Sequence, residues 1–198
     1  MKKVKTRNTR GFGLFESVLA RERAKKAESL ILNKHREGRV LDIGCGVFPH
    51  FLLNTKFNQR YGLDSSVISE NFGKANIVIK KMNVGKEKMP FNDGFFDCVV
   101  MLAVFEHIKS EELEFLLREI KRVLRTGGRF IMTTPSPWSG KVLWGLSRIG
   151  LISKIEIDDH KHALTPQTIK NYHKKAGFKN TRNGFFEMGM NMWFFSEK

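Results

Sequence analysis

Short apolar runs alternate with longer amphipathic stretches along this chain, and that alternation predicts strands joined by crossover helices. The strand-like runs are Arg39–Ile43, Arg60–Asp64, Asn76–Met82, Cys98–Leu102 and Arg129–Pro135, each short and rich in aliphatic side chains. Between and around them the apolar spacing changes to three and four. Leu113, Leu116, Leu117, Ile120 and Leu124 make a helical stripe that begins at Ser110 and stops at Thr126-Gly127-Gly128. Phe48 to about Lys56 reads as the first crossover helix, and Thr165-Pro166 to Gly177 as the last helix, with threonine as its cap and proline in its first turn. Ahead of the first strand, Phe15, Val18, Leu19, Ala27, Leu30 and Ile31 fall on one face of a further helix and Arg21, Lys25 and Lys26 on the other. Strands that alternate with helices in this way build a mostly parallel α/β sheet covered by helices on both faces. Lys179–Arg182 and Phe185–Phe195 read as two closing strands.

The sharpest signal lies where the first strand ends, in Asp42-Ile43-Gly44-Cys45-Gly46-Val47-Phe48-Pro49. Two glycines one residue apart let a backbone turn tightly and approach a ligand closely. A dinucleotide-binding turn needs a third glycine so that a pyrophosphate can rest on helix-terminal amides. Here that position is Pro49, and the turn opens with a carboxylate that repels phosphate. An acid at this point suits a cationic ligand.

Val40-Leu41-Asp42-Ile43-Gly44-Cys45-Gly46 resembles the first motif of the class I S-adenosylmethionine-dependent methyltransferases. Three later blocks follow in the same order: Leu63-Asp64-Ser65, Phe96–Leu102 after Pro90-Phe91-Asn92-Asp93-Gly94, and Leu124-Arg125-Thr126-Gly127-Gly128 before an apolar strand. The resemblance implies a Rossmann-like seven-stranded sheet, mostly parallel, with the last strand antiparallel. It also implies binding of S-adenosylmethionine, with S-adenosylhomocysteine as product. By the same resemblance, Asp42 with Gly44, Cys45 and Gly46 would hold the methionyl part, and Leu102 and Ala103 would offer main-chain contacts to its amino group. Asp64 and Ser65, 18 and 19 residues past Gly46, would bind the ribose. Asn83, where similar proteins often carry Asp, would read the adenine together with the Val84 backbone. Phe48 departs from the family, which usually has a further glycine there.

Residues 136–163 break the strand–helix alternation. Trp138, Val142, Leu143, Trp144, Leu146, Ile149, Leu151 and Ile152 make the stretch apolar, and it follows a strand that ends at the sheet's carboxyl edge. It is placed either to wall an acceptor pocket or to act as a cap that excludes water. Asp158, Asp159, His160 and His162 gather polar chemistry beside it, so His160 and His162 are candidates for a general base or for acceptor binding. His107 is a weaker candidate, and no metal site is expected. The division that follows is a basic tail and cover helix over residues 1–38, then a methyltransferase domain over 39–198 with 136–163 on the acceptor side.

Composition narrows the setting. The 198 residues are 41% hydrophobic and 28% charged, an ordinary globular balance. No run approaches the roughly 20 apolar residues of a membrane span, and the lysine-rich start lacks a secretory apolar core, so a cytoplasmic setting is the expectation. Two cysteines in apolar surroundings, Cys45 and Cys98, read as small core residues. The net charge of +15 is uneven, with 12 Lys or Arg against 4 Glu between Met1 and Arg39. That excess fits either a solvated basic face or an anionic partner such as RNA or a membrane surface. The apolar stretch and the absence of any appended recognition segment favour a small-molecule or lipid-linked acceptor. An RNA methyltransferase and a non-catalytic S-adenosylmethionine-binding protein are the alternatives.

Overall fold

The computed structural model describes residues 14–67, 71–72, 76–139 and 164–198. Eight strands form one sheet: β1 (Arg39–Ile43), β2 (Gln59–Asp64), β3 (Asn71–Phe72), β4 (Ile77–Lys81), β5 (Phe96–Leu102), β6 (Leu124–Pro135), β7 (Lys179–Phe186) and β8 (Asn191–Glu197). Their spatial order is β3-β4-β2-β1-β5-β6-β8-β7. The pairs β1–β2, β1–β5, β2–β4 and β5–β6 are parallel. β8 runs antiparallel to β6 and to β7, so the seven expected strands are present with the last one reversed. The two-residue β3 adds an antiparallel edge to β4.

Helices cover both faces. On one lie α1 (Leu14–Leu30) and α2 (His50–Asn54), and on the other α3 (Ser110–Val123) and α4 (Pro166–Lys175). Alternating strand residues feed two separate cores, as the period of two requires. Val40, Cys98, Val100 and Ile131 pack with Ala24, Ala27 and Phe51 on the α1 side. Leu41, Ile43, Val99, Met101, Phe130 and Met132 pack with the α3 stripe and Ile169 on the other. Both cysteines are buried, and desolvation pushes the Cys98 thiol up, away from reactivity.

Three details differ from the sequence reading. Val18, placed on the buried face of the first helix, is 56% exposed; the expected Ala27, Leu30 and Ile31 do meet the sheet, and Ala24 joins them. The Gly127-Gly128 stop is not where α3 ends: the helix finishes at Val123, and Leu124 already pairs with Phe96 in the β5–β6 ladder. The Ser66 amide turns back onto the Asp64 carboxylate at 2.8 Å in an Asx turn. The run Phe185–Phe195 is a hairpin, not one strand. Glu187, Met188 and Gly189 all take positive φ (51°, 52° and 84°), and an apolar Met at the tip hides the turn from any polarity pattern.

Arg122, at the end of α3, ties the loop before β5 to the α3 face. Its guanidinium donates to the carbonyls of Met89 and Phe91, to both Glu119 oxygens and to Asp93. Arg129 does the same for α1, donating to Leu30 O at 2.9 Å and to Glu197 at 2.6 Å while its guanidinium lies 4.1 Å over the Phe195 ring. Among the described residues no helix is long and apolar enough to cross a membrane.

Candidate functional site

The carboxyl ends of β1, β2, β4 and β5 meet at one corner of the sheet, the position where open α/β sheets bind ligands. Asp42 is buried in β1 between Gly62 and Val100. Past Ile43 the chain turns through Gly44 (φ 75°) and Gly46 (φ 72°), conformations that glycine adopts without cost. Gly44 is held by its amide on Leu63 O at 2.7 Å. A Cβ there would stand 2.3 Å from Val104 Cγ2, so no other residue fits. Cys45 tucks its sulfur over Gly62 of β2, 2.7 Å from where a Cβ would stand. Val47 and Phe48 then project outward, 64% and 72% exposed.

The second strand brings Asp64 onto this turn. Its Oδ2 accepts from the Gly46 amide and its Oδ1 from the Ser66 amide, each at 2.8 Å. Two backbone donors therefore fix the carboxylate's plane, while its remaining lone pairs can accept from a ligand. Met82 N donates to Asp64 O at 3.0 Å, which sets Asn83 beside the same corner with its side chain exposed. The Val84 side chain is buried in the α3-side core, so only its backbone is available to a ligand. Ser65 is exposed next to Asp64.

From the other side β5 ends at Leu102, and Ala103 adopts φ 53°. A non-glycine residue in that region costs roughly 1–2 kcal/mol. It persists here because the Ala103 amide is locked onto Thr133 O at 2.9 Å and Val104 packs on Gly44. The strain turns the main chain of 102–103 over the glycine loop. A short 3-10 turn follows over Phe105–His107, in which Glu106 is buried and accepts from Thr134 Oγ1 at 3.1 Å, and His107 is exposed.

The fold thus brings Asp42, Gly44, Cys45, Gly46, Asp64, Ser65, Asn83, Val84, Leu102 and Ala103 to one corner. His160 and His162, with Asp158 and Asp159, lie outside the described residues, as do residues 140–163 generally. The described start of that stretch is anchored: Ser136 N and Oγ both donate to Met190 O, at 2.8 and 3.0 Å, and Trp138 is 42% exposed beside Gly189. Sequence reasoning missed Glu106, Thr133, Glu187 and Asn191, all near this edge. Nothing in a single sequence marks a polar residue as buried. Among the described residues no group of three or more His, Cys, Asp or Glu could hold a metal.

The corner joins a glycine turn, in which Gly44 has no room for a Cβ, to an acid fixed on the Gly46 amide, and it has no third glycine to seat a pyrophosphate. The architecture is that of the class I S-adenosylmethionine-dependent methyltransferases, and residues 41–132 match the model of the methyltransferase domain. A crystal structure of an S-adenosylmethionine-dependent methyltransferase from Archaeoglobus fulgidus superposes with a TM-score of 0.67 at 20% identity, over 94% of this chain and 95% of that one. An uncharacterised protein of Methanocaldococcus jannaschii is 30% identical over 155 residues, 76% of this chain and 60% of that protein. A sterol 24-C-methyltransferase of Gibberella zeae is 33% identical over 101 residues, 46% of this chain and 26% of that enzyme. The chain therefore spans less than two thirds of the length of either of these two curated relatives.

Proposed function

We propose that this chain transfers a methyl group from S-adenosylmethionine to a small or lipid-linked apolar acceptor. The observation that carries the reading is the joint between β1 and β2, where the Asp64 carboxylate is fixed on the Gly46 amide at the sheet's carboxyl edge. S-adenosylmethionine supplies, when bound, a methyl group already activated on a sulfonium sulfur. What is left to the protein is to bind, orient and exclude water. Asp42 and the Gly44–Gly46 backbone would hold the methionyl part, with the main chain of Leu102 and Ala103 on its amino group. Asp64 with Ser65 would hold the ribose, and Asn83 with the Val84 backbone the adenine.

Exposed Val47, Phe48 and Trp138 near this edge support an apolar acceptor, and the Gibberella zeae relative is a sterol methyltransferase by name. Where the acceptor is a hydroxyl or a carbon acid, a base is required, and His160 or His162 would serve, with His107 as the weaker choice. Residues 1–38 would act as basic tail and cover helix, and 136–163 as the acceptor-side cap. The charge of +15 supports a second reading, methylation of RNA.

Labelled methyl incorporation from S-adenosylmethionine into a fractionated cell extract tests these readings together. Label in the small-molecule or lipid fraction supports the first. Label in RNA that falls steeply with salt supports the second. Calorimetric binding of the cofactor with no label anywhere would make the chain a non-catalytic cofactor-binding protein.

A further inference from the structure

At the α1 side of β6, β8 and the turn that leads into β8, three oxygen atoms are buried without a hydrogen-bond partner: Oγ1 of Thr133, Oδ1 of Asn191 and Oε1 of Glu187. The ladder places Thr133 and Asn191 near one another, and the Asn191 amide holds Glu187 beside them. Leu102 of β5 pairs with Thr133, Thr133 pairs with Trp193, and Asn191 lies two residues from Trp193 opposite Pro135. Neighbouring strands are about 5 Å apart, so these positions continue, strand by strand, the row that begins at Leu102. Residues opposite one another share a face, and it is the face on which Leu102, Ile131 and Phe195 pack beside α1. Asn191 Nδ2 donates to Glu187 Oε2. That bond sets the orientation of the amide and leaves Oδ1 as the acceptor still lacking a donor.

An unsatisfied buried polar group is costly, and folded proteins keep few of them. Three in one corner, all able to accept, match a ligand group that brings donors and no acceptors. A phosphate or carboxylate brings the reverse, and a hydroxyl brings one donor. Burial lifts the Glu187 carboxyl above its usual range, while Arg23 and the Asn191 amide draw it back.

We propose that Thr133, Asn191 and Glu187 form a polar subsite for the methyl acceptor, and that the group it takes is a cationic amine. The proposal rests on the methyltransferase reading of this edge and concerns recognition: the amine it holds need not be the atom that is methylated. The subsite would position an apolar amine beside the donor end of β5.

Calorimetry on the full chain saturated with S-adenosylhomocysteine tests it, using phenethylamine and N-acetylphenethylamine, which differ in the charged donor. Phenethylamine is expected to bind at least tenfold more tightly. Thr133→Val and Glu187→Gln are each expected to weaken it fivefold or more, with S-adenosylhomocysteine affinity unchanged and the Tm of Thr133→Val equal to or above wild type. Equal affinity for the two probes, no heat with the amine, or full amine affinity in both variants overturns the proposal. Failure of the wild type to bind S-adenosylhomocysteine would instead strike the methyltransferase reading, and the subsite would fall with it.

Discussion

Asp64 accepts a hydrogen bond from the Gly46 amide at 2.8 Å, so the acid at the end of β2 and the glycine turn after β1 move as one unit. A carboxylate held in this way needs no reorganisation on meeting two vicinal hydroxyls. Asp64→Ala should therefore lower affinity for S-adenosylmethionine by about tenfold or more, two charge-assisted hydrogen bonds being worth roughly 1.5–3 kcal/mol each. Calorimetry of both proteins measures it. Equal affinity would remove Asp64 from the site.

Gly44 offers a sharper structural test. Its φ of 75° disfavours any L side chain, and the added Cβ would collide with Val104 Cγ2 at 2.3 Å. Gly44→Ala should destabilise the fold by about 2–4 kcal/mol, from the left-handed penalty and from overpacking. Shortening the neighbour should recover part of this. In urea denaturation, the double variant Gly44→Ala, Val104→Ala should be more stable than the sum of the single effects predicts. Strict additivity would show that the two residues are not in contact.

How far the sequence carried differs by element, for physical reasons. β1 was legible to the residue, because a strand buried on both faces is a continuous apolar run and its end is written by Asp42 and the glycines. The same holds for the corner that Asp64, Asn83 and Ala103 share, since parallel topology delivers all strand ends to one edge. The hairpin at Glu187-Met188-Gly189 was not legible. Its turn uses left-handed residues in place of Asn-Gly, and Met188 continues the apolar pattern through it. Of the α1 contact with the sheet, Ala27, Leu30 and Ile31 were legible from their spacing, while Ala24 was not and Val18, the more hydrophobic residue, faces outward. The orphan oxygens of Thr133 and Asn191 depend on which partners the tertiary fold denies them, and local pattern carries no record of that.

Arg122 should prove the most costly charged side chain to remove among those described here. Only 16% of it is exposed, and it serves Met89 O, Phe91 O and Glu119 together. Its guanidinium holds the Glu119 carboxyl below the usual range, and the Met89 amide on Glu119 Oε2 adds to this. Arg122→Ala would leave carbonyls and a carboxylate short of donors, at about 2–4 kcal/mol. Lysine cannot reproduce a planar fork of donors, so Arg122→Lys should recover less than half of that loss in chemical denaturation. Full recovery would show that charge alone matters.

His173 makes stability depend on pH. It is completely buried, with Nδ1 2.7 Å from Ser196 Oγ, and desolvation drives its pKa down to about 3 from an ordinary 6.5. The unfolded chain therefore takes up a proton that the folded chain refuses. The stability this neutral imidazole contributes is complete above about pH 6.5 and declines as the pH falls towards 3, by up to about 1.4 kcal/mol per unit. His35, also buried and shifted downward by desolvation, acts in the same direction. In His173→Phe, Ser196 keeps its bond to Thr181 Oγ1 at 2.8 Å, so the variant should fold and show a shallower loss of stability between pH 7 and pH 5. Urea midpoints at pH 7, 6 and 5 measure the two slopes. Parallel slopes would mean that His173 is protonated inside the folded protein, and the buried neutral imidazole would have to be abandoned.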